Sequence, residues 1–142
     1  MNVIGFTGSK DGIFPNQYAK LEWFLNSLTS AYAHHGDCIG SDNQFHNLCL
    51  RRGFHISIHP GHDRGGLAPF RAYCCGDVTY ESLPYLNRNK VLVDSCNILL
   101  VTPKTKREER RSGTWSTFRY ALNMEKSTII FFPDGSIQSY FF

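Results

Sequence analysis

No apolar run among these 142 residues approaches the roughly 20 that a bilayer-spanning helix needs, which argues against a membrane protein. Net charge is also scarce, at only +3. That is slight for a protein that tracks a long nucleic acid and better suited to a small anionic ligand. The five cysteines, Cys38, Cys49, Cys74, Cys75 and Cys96, are odd in number and include no C-x-x-C spacing. Neither a disulfide framework nor a structural zinc site is therefore expected, and a reducing interior fits. The first apolar run starts at Val3, leaving no signal peptide ahead of it, and the expected location is cytoplasmic. G-x-G-x-x-G and G-K-[ST] are both absent, which removes the dinucleotide fingerprint and the P-loop. No repeat and no linker interrupts the chain, so residues 1–142 read as one domain large enough to bury a core.

Core and stacking material is ample, with 11 Phe and 7 Tyr. Five short apolar runs, at residues 3–7, 38–39, 56–58, 98–101 and 128–132, are continuous rather than alternating, as in strands covered on both faces. Between the first two, Tyr18, Leu21, Trp23, Phe24, Leu25, Leu28 and Tyr32 recur at helical spacing, with Pro15 placed to start the helix and Gly36 to end it. Further helices read over about 42–52, stopped by Gly53, over 85–94, and over 113 to about 124. Residues 60–84 read as a long irregular loop that is functional or holds a short unpredicted element. The alternation predicts a three-layer α/β domain around a mainly parallel five-stranded sheet.

In such a sheet, ligands bind beyond the carboxyl ends of the strands. The richest of those loops is Arg111-Ser112-Gly113-Thr114-Trp115-Ser116-Thr117, a small-residue turn between an apolar run and a helix. A helix N-terminus there presents backbone N–H groups and roughly half a positive charge to a phosphate. A second small-residue turn, Thr7-Gly8-Ser9-Lys10, follows the first apolar run. The two turns together suggest a nucleotide-type ligand.

These segments, with His35-Gly36-Asp37-Cys38-Ile39-Gly40-Ser41-Asp42, Ile58-His59-Pro60, Arg71, Tyr85-Leu86-Asn87-Arg88-Asn89 and Val93-Asp94, occur in an order and spacing that resembles the SLOG superfamily. That superfamily is named for the Smf DNA-processing proteins and the Lonely Guy phosphoribohydrolases, and the chain looks most like its small stand-alone phage and bacterial members. The resemblance implies a Rossmann-like domain that binds nucleotides or nucleotide-derived signals. Some members hydrolyse nucleoside monophosphates, some sense cyclic ADP-ribose isomers in anti-phage systems, and the Smf branch binds single-stranded DNA. The hydrolases carry Pro-Gly-Gly-x-Gly-Thr-x-x-Glu, whereas this chain places Thr117 where the cleaving Glu belongs. A neutral hydroxyl neither stabilises an oxocarbenium ion nor activates water as a carboxylate does.

The expectation is therefore binding without catalysis. It covers sequestration of a nucleotide-derived immune signal, such as a cyclic ADP-ribose isomer or a cyclic nucleotide, by an anti-defence protein acting in the host cytoplasm if it is phage-encoded. Thr7, Gly8, Ser9 and Lys10 with Ser112, Gly113 and Thr114 are assigned to phosphate, and Arg88 and Arg111 to its charge. Ser41, Asp42, His59, Arg71, Asn89 and Thr117 complete the predicted site. Asp42 reads equally as a ribose contact or a helix cap, and Arg88 as a phosphate grip or a surface ion pair. No cofactor, metal or membrane partner is expected; nucleic acid is not the expected partner, and a homo-oligomer is. His34 and His35 are adjacent and point apart, and His59, His62 and Asp63 share only a loop. Two other classes stay open: a nucleotide N-glycosidase or phosphoribohydrolase using Asp42, Asp94 or Glu81, and a single-stranded DNA binder.

Overall fold

A computed structural model describes residues 2–142, which form nine strands and four α-helices. The amino-terminal half alternates β1 (Val3–Gly8), α1 (Pro15–Asn26), β2 (Tyr32–His35), α2 (Ser41–Arg52) and β3 (His55–Ile58). Pro15 occupies the first turn of α1, where its missing N–H costs nothing, and the Gln17 side chain accepts the Phe14 N–H at 2.9 Å. Gly53 closes α2 in the left-handed region at φ 69°. After a stretch holding β4 (Gly61–His62), β5 (Val78–Thr79) and β6 (Leu83–Pro84) come α3 (Tyr85–Asp94), β7 (Ile98–Thr102), α4 (Gly113–Asn123), β8 (Ser127–Phe131) and β9 (Ile137–Tyr140).

The main sheet has seven strands in the order β5-β3-β2-β1-β7-β8-β9; β4 and β6 pair separately. Every neighbouring pair in the main sheet is parallel except β8 with β9. Strand order reverses between β1 and β7, which lie in register from Ile4↔Ile98 to Gly8↔Thr102. That reversal opens a crevice at their carboxyl ends. Alternation along β1 sends Ile4 and Phe6 into one core, where the Phe6 ring stacks on Phe45 of α2 at 4.4 Å, together with Leu21 and Leu25 of α1. The opposite face buries Leu99 and Val101 of β7 under Trp115, Phe118 and Ala121 of α4 and Val93 of α3. The three predicted layers are present. No described helix is long and apolar enough to cross a membrane.

Three details differ from the sequence reading. The second strand is Tyr32–His35 and not residues 38–39, because α1 stops at Asn26. Tyr32 prolongs the i+3/i+4 spacing of Leu21, Leu25 and Leu28 by coincidence and belongs to a strand, and Gly36 follows a strand rather than ending a helix. Residues 38–39 instead form a turn framed by left-handed Asp37 (φ 59°) and Gly40 (φ 80°). The sheet gains two edge strands beyond the predicted five: the two-residue β5 inside the long loop, and β9, whose Ile137, Gln138 and Ser139 are exposed and give no core pattern to read.

Candidate functional site

A cleft of ≈ 710 Å³ opens at the β1/β7 switch point. Thr7, Gly8, Ser9 and Lys10 line it from the end of β1, and Arg111, Ser112, Gly113 and Thr114 from the start of α4. Asp42 of α2 and Arg88 and Asn89 of α3 complete the predicted residues on its walls. Gly8 is fixed there by space. A Cβ at this position would lie 2.3 Å from the Thr102 hydroxyl and 2.5 Å from the Ser41 Cβ, so only glycine lets β1, β7 and α2 converge.

The two turns are not equivalent. Ser9 donates its N–H to the Thr102 carbonyl at 3.3 Å, its hydroxyl accepts the Asp11 N–H at 3.1 Å, and its carbonyl receives the Ser41 N–H and hydroxyl. The first turn is thus a closed hydrogen-bonded knot whose Ser9 amide is already engaged. At the second, Ser112 caps α4 by accepting the Trp115 N–H at 3.2 Å, which satisfies a donor one turn in. The amides of Gly113 and Thr114, at the first two helical positions, have no carbonyl one turn back, and nothing lies within 4 Å of a Cβ built on Gly113. The anion-ready backbone is at α4.

Arg88 forms the floor. It is buried and donates to the Gly36 carbonyl (2.6 Å), the His59 carbonyl (3.1 Å) and the Asn89 side-chain oxygen (2.7 Å), with Cys38 Sγ at 3.9 Å from Nη2. All are neutral acceptors, and Arg88 belongs to none of the ion pairs among the described residues. The surface ion pair considered from sequence is not what the fold builds. Asp42, also buried, accepts the Cys38 N–H at 3.0 Å, and burial pushes its carboxyl up to about 6 against the opposing pull of Arg88 and the backbone donors. Burial and the neighbouring Asp42 push the Cys38 thiol up to about 11, so it is no nucleophile at neutral pH.

Four predicted residues do not line the cleft but brace it. The Ser41 hydroxyl donates to the Ser9 carbonyl at 2.5 Å. The His59 ring faces His34 at 2.8 Å and stacks on Tyr80, and burial with His34 nearby holds it down to about 4; only its carbonyl serves Arg88. Arg71 pairs with buried Asp37 at 2.9 Å, pinning the long loop to the turn after β2. Thr117 is buried and returns its hydroxyl to the Gly113 carbonyl at 2.8 Å. Conversely, Gly36, Cys38, Asp11, Lys104 and Glu109 line the cleft without having been singled out for it, and Arg110 lines it beside Arg111. The charged run 104–111 is moored to the body of the domain. Trp115 donates to Thr105 at 3.2 Å, Arg119 holds the carbonyls of Glu109 and Arg110, and Lys104 meets Asp11 at 3.4 Å. Five cationic side chains face three carboxyl groups around the cleft, so its field favours an anion.

His35, His46 and Cys74 bring one ligand atom each within 4.8 Å of one another. The Asp37 N–H donates to His35 Nδ1 at 3.0 Å, which puts the ring proton on Nε2 and aims it at His46 Nδ1, 2.9 Å away. Both nitrogens that would face a cation are thereby engaged with each other, and burial raises the Cys74 thiol to about 12. The group works as a fastener between β2, α2 and the long loop.

No protein-family model matches the sequence, and no curated protein matches it. Solved structures do. A molybdenum cofactor binding protein from the phototrophic bacterium Rippkaea orientalis superposes with a TM-score of 0.69 at 15% identity, over 92% of this chain and 76% of that one. DNA processing protein A from Streptococcus pneumoniae superposes with a TM-score of 0.66 at 16% identity, over 92% of this chain but only 50% of its own length. Identity at this level shows a common fold, and that fold is the Rossmann-like α/β layer arrangement described above.

Proposed function

We propose that this chain is a SLOG-type domain, single over its 142 residues, that binds a phosphate-bearing, nucleotide-derived ligand in the β1/β7 cleft without cleaving it. One observation carries the reading: Arg88 holds a guanidinium on the cleft floor with neutral partners only. Asp42 pulls on this guanidinium electrostatically without forming an ion pair with it, and cationic side chains outnumber carboxyl groups around the cleft by five to three, so an anionic ligand group supplies the remaining counter-charge. The free amides of Gly113 and Thr114 add a second grip, and Arg111 a second charge at the rim. The structural neighbours are described as binding a molybdenum cofactor and as processing DNA, which agrees with a ligand of this general chemistry. The finer reading is sequestration of a cyclic ADP-ribose isomer or cyclic nucleotide signal in the cytoplasm by a homo-oligomer. It rests on the resemblance and on Thr117 standing where the hydrolases carry their acid.

Calorimetry across nucleoside phosphates and cyclic nucleotide signals tests this. Saturable binding that weakens about 10-fold or more in Arg88→Gln, with thermal unfolding showing an intact fold, supports it. Absence of uptake across the set removes it, and retention of oligonucleotides that collapses steeply with salt favours the DNA-binding class instead.

A hydrolase reading is favoured by one feature. Of the three carboxyl groups considered from sequence, Asp42 alone lines the cleft, and its carboxyl near 6 is in the range a general acid needs. Asp94 instead accepts the Tyr120 hydroxyl at 2.9 Å. Base release from nucleoside monophosphates, abolished in Asp42→Asn, establishes that class.

A further inference from the structure

Beside the cleft, on the β2 side, a loop carries rings and cations in alternation: Phe70, Arg71 and Tyr73. Both rings stand open at the surface, Phe70 40% exposed and Tyr73 69% exposed. The segment is not loose. The Phe70 carbonyl accepts the Ile39 N–H at 2.8 Å, the Ala72 N–H donates to the Asp37 carbonyl at 2.7 Å, and the Arg71 guanidinium is held by the buried Asp37 carboxylate at 2.9 Å. Three bonds thus lock an exposed aromatic onto the turn that also supplies Gly36 and Cys38 to the cleft. Lys10, itself on the cleft wall, sits over the Phe70 ring at 4.0 Å. The ring is therefore tied directly to the rim, with one face under a cation and a large share of its surface still open.

We infer that Phe70 is a stacking shelf for the nucleobase of the bound ligand, which lies with its phosphate at the α4 N-terminus and its base directed past Lys10 onto the ring. This rests on the proposed binding function and specifies its orientation. In the sheet order β2-β1-β7, the shelf hangs from the turn after β2 and the phosphate grip follows β7, so the ligand crosses the end of β1. Every nucleobase has a π-face, and a cation already polarising the ring suits an electron-rich heterocycle beside an anionic phosphate. Such a shelf is tolerant of base identity, since no base-edge donor or acceptor enters the argument.

Ribose 5-phosphate and AMP separate the two ends of the ligand. Against the wild-type protein, AMP is expected to bind about 10-fold or more tightly than ribose 5-phosphate. In Phe70→Ala that advantage shrinks to under about threefold while ribose 5-phosphate affinity holds. Phe70→Tyr keeps the advantage and Phe70→Leu, apolar but not aromatic, loses most of it. Thermal unfolding of each variant confirms the fold, which an exposed position leaves intact. If wild-type protein binds both compounds equally, or if Phe70→Ala weakens both alike, the shelf is wrong and the cleft reading stands. If neither compound binds, the cleft reading fails and the shelf falls with it.

Discussion

Gly113 is the residue at which the anion grip can be tested without disturbing anything else. It stands at the first helical position of α4 with open space where a Cβ would be, and Ser112 before it is extended at φ −80°, ψ 129°. Proline is tolerated at a first helical position and accepts an extended residue ahead of it. Gly113→Pro therefore deletes one cleft amide and keeps the helix, and loses chain entropy in the unfolded state. Ligand affinity is expected to fall about 10-fold with an unchanged or raised melting temperature; equal affinity would move the anion site elsewhere. Asp42 gives a second expectation, in pH. Its carboxyl is raised from 3.8 to about 6, so the folded state holds a proton that the unfolded state releases, and its contribution to stability is lost as pH rises from about 4 to 6. Asp42→Asn should gain on the wild type across that window in thermal unfolding, and parallel curves would refute the burial argument. Sequence marked this residue as a cap or a contact; α2 starts at Ser41 with Gly40 as its N-cap, so Asp42 lies inside the helix, caps nothing, and turns its carboxylate to the Cys38 N–H on the cleft wall. Sequence did not reveal Cys38 or Gly36 on the cleft wall, since both depend on where β2 ends.

At the scale of elements, the helices that carry strong punctuation were legible. Pro15 opens α1, Gly53 closes α2, and Ser112 with Gly113 opens α4. β2 was not legible, because its buried residues Ala33, His34 and His35 carry no aliphatic signature; the two histidines are buried by hydrogen-bonding to other rings. Gln17 was equally hidden. A polar residue on α1 reads as solvent-facing, yet it is fully buried and donates to the Pro103 carbonyl at 2.6 Å and the Phe131 carbonyl at 2.7 Å while accepting the Phe14 N–H. It clamps α1 to the ends of β7 and β8, behind the loop that forms one cleft wall. Gln17→Leu keeps the approximate size but strands two buried carbonyls and a helix-start amide. A loss of about 2–4 kcal/mol is expected in urea unfolding. A loss under about 1 kcal/mol would mean that the loop after β7 finds other donors.

For the whole molecule, buried imidazole pairs on the β2 side of the sheet add to the apolar packing of Ala33, Phe45, Ile56 and Ile58. His34 with His59, and His35 with His46, form two buried pairs that join β2, α2, the end of β3 and the long loop. Burial comes first among the causes that lower all four, to about 3 for His35 and about 4 for His59. The unfolded chain takes up these protons near pH 6.5 and the folded chain refuses them, so stability present at neutral pH declines as pH falls below about 6.5 toward about 3. Asp42 acts in the opposite direction over part of that range, one group against four. Ordinary carboxyls titrate near pH 4, so a declining urea midpoint between pH 6.5 and 5 reports the histidines. The carbonyls of Gly36 and His59 that seat Arg88 belong to this same side. Ligand affinity should accordingly weaken over the same interval in which the midpoint declines, although phosphate charge alone changes little for a phosphodiester probe. A midpoint that stays flat from pH 7 to 5 would show that the imidazole pairs accept protons in place, and would sever the link between this side of the sheet and the cleft floor.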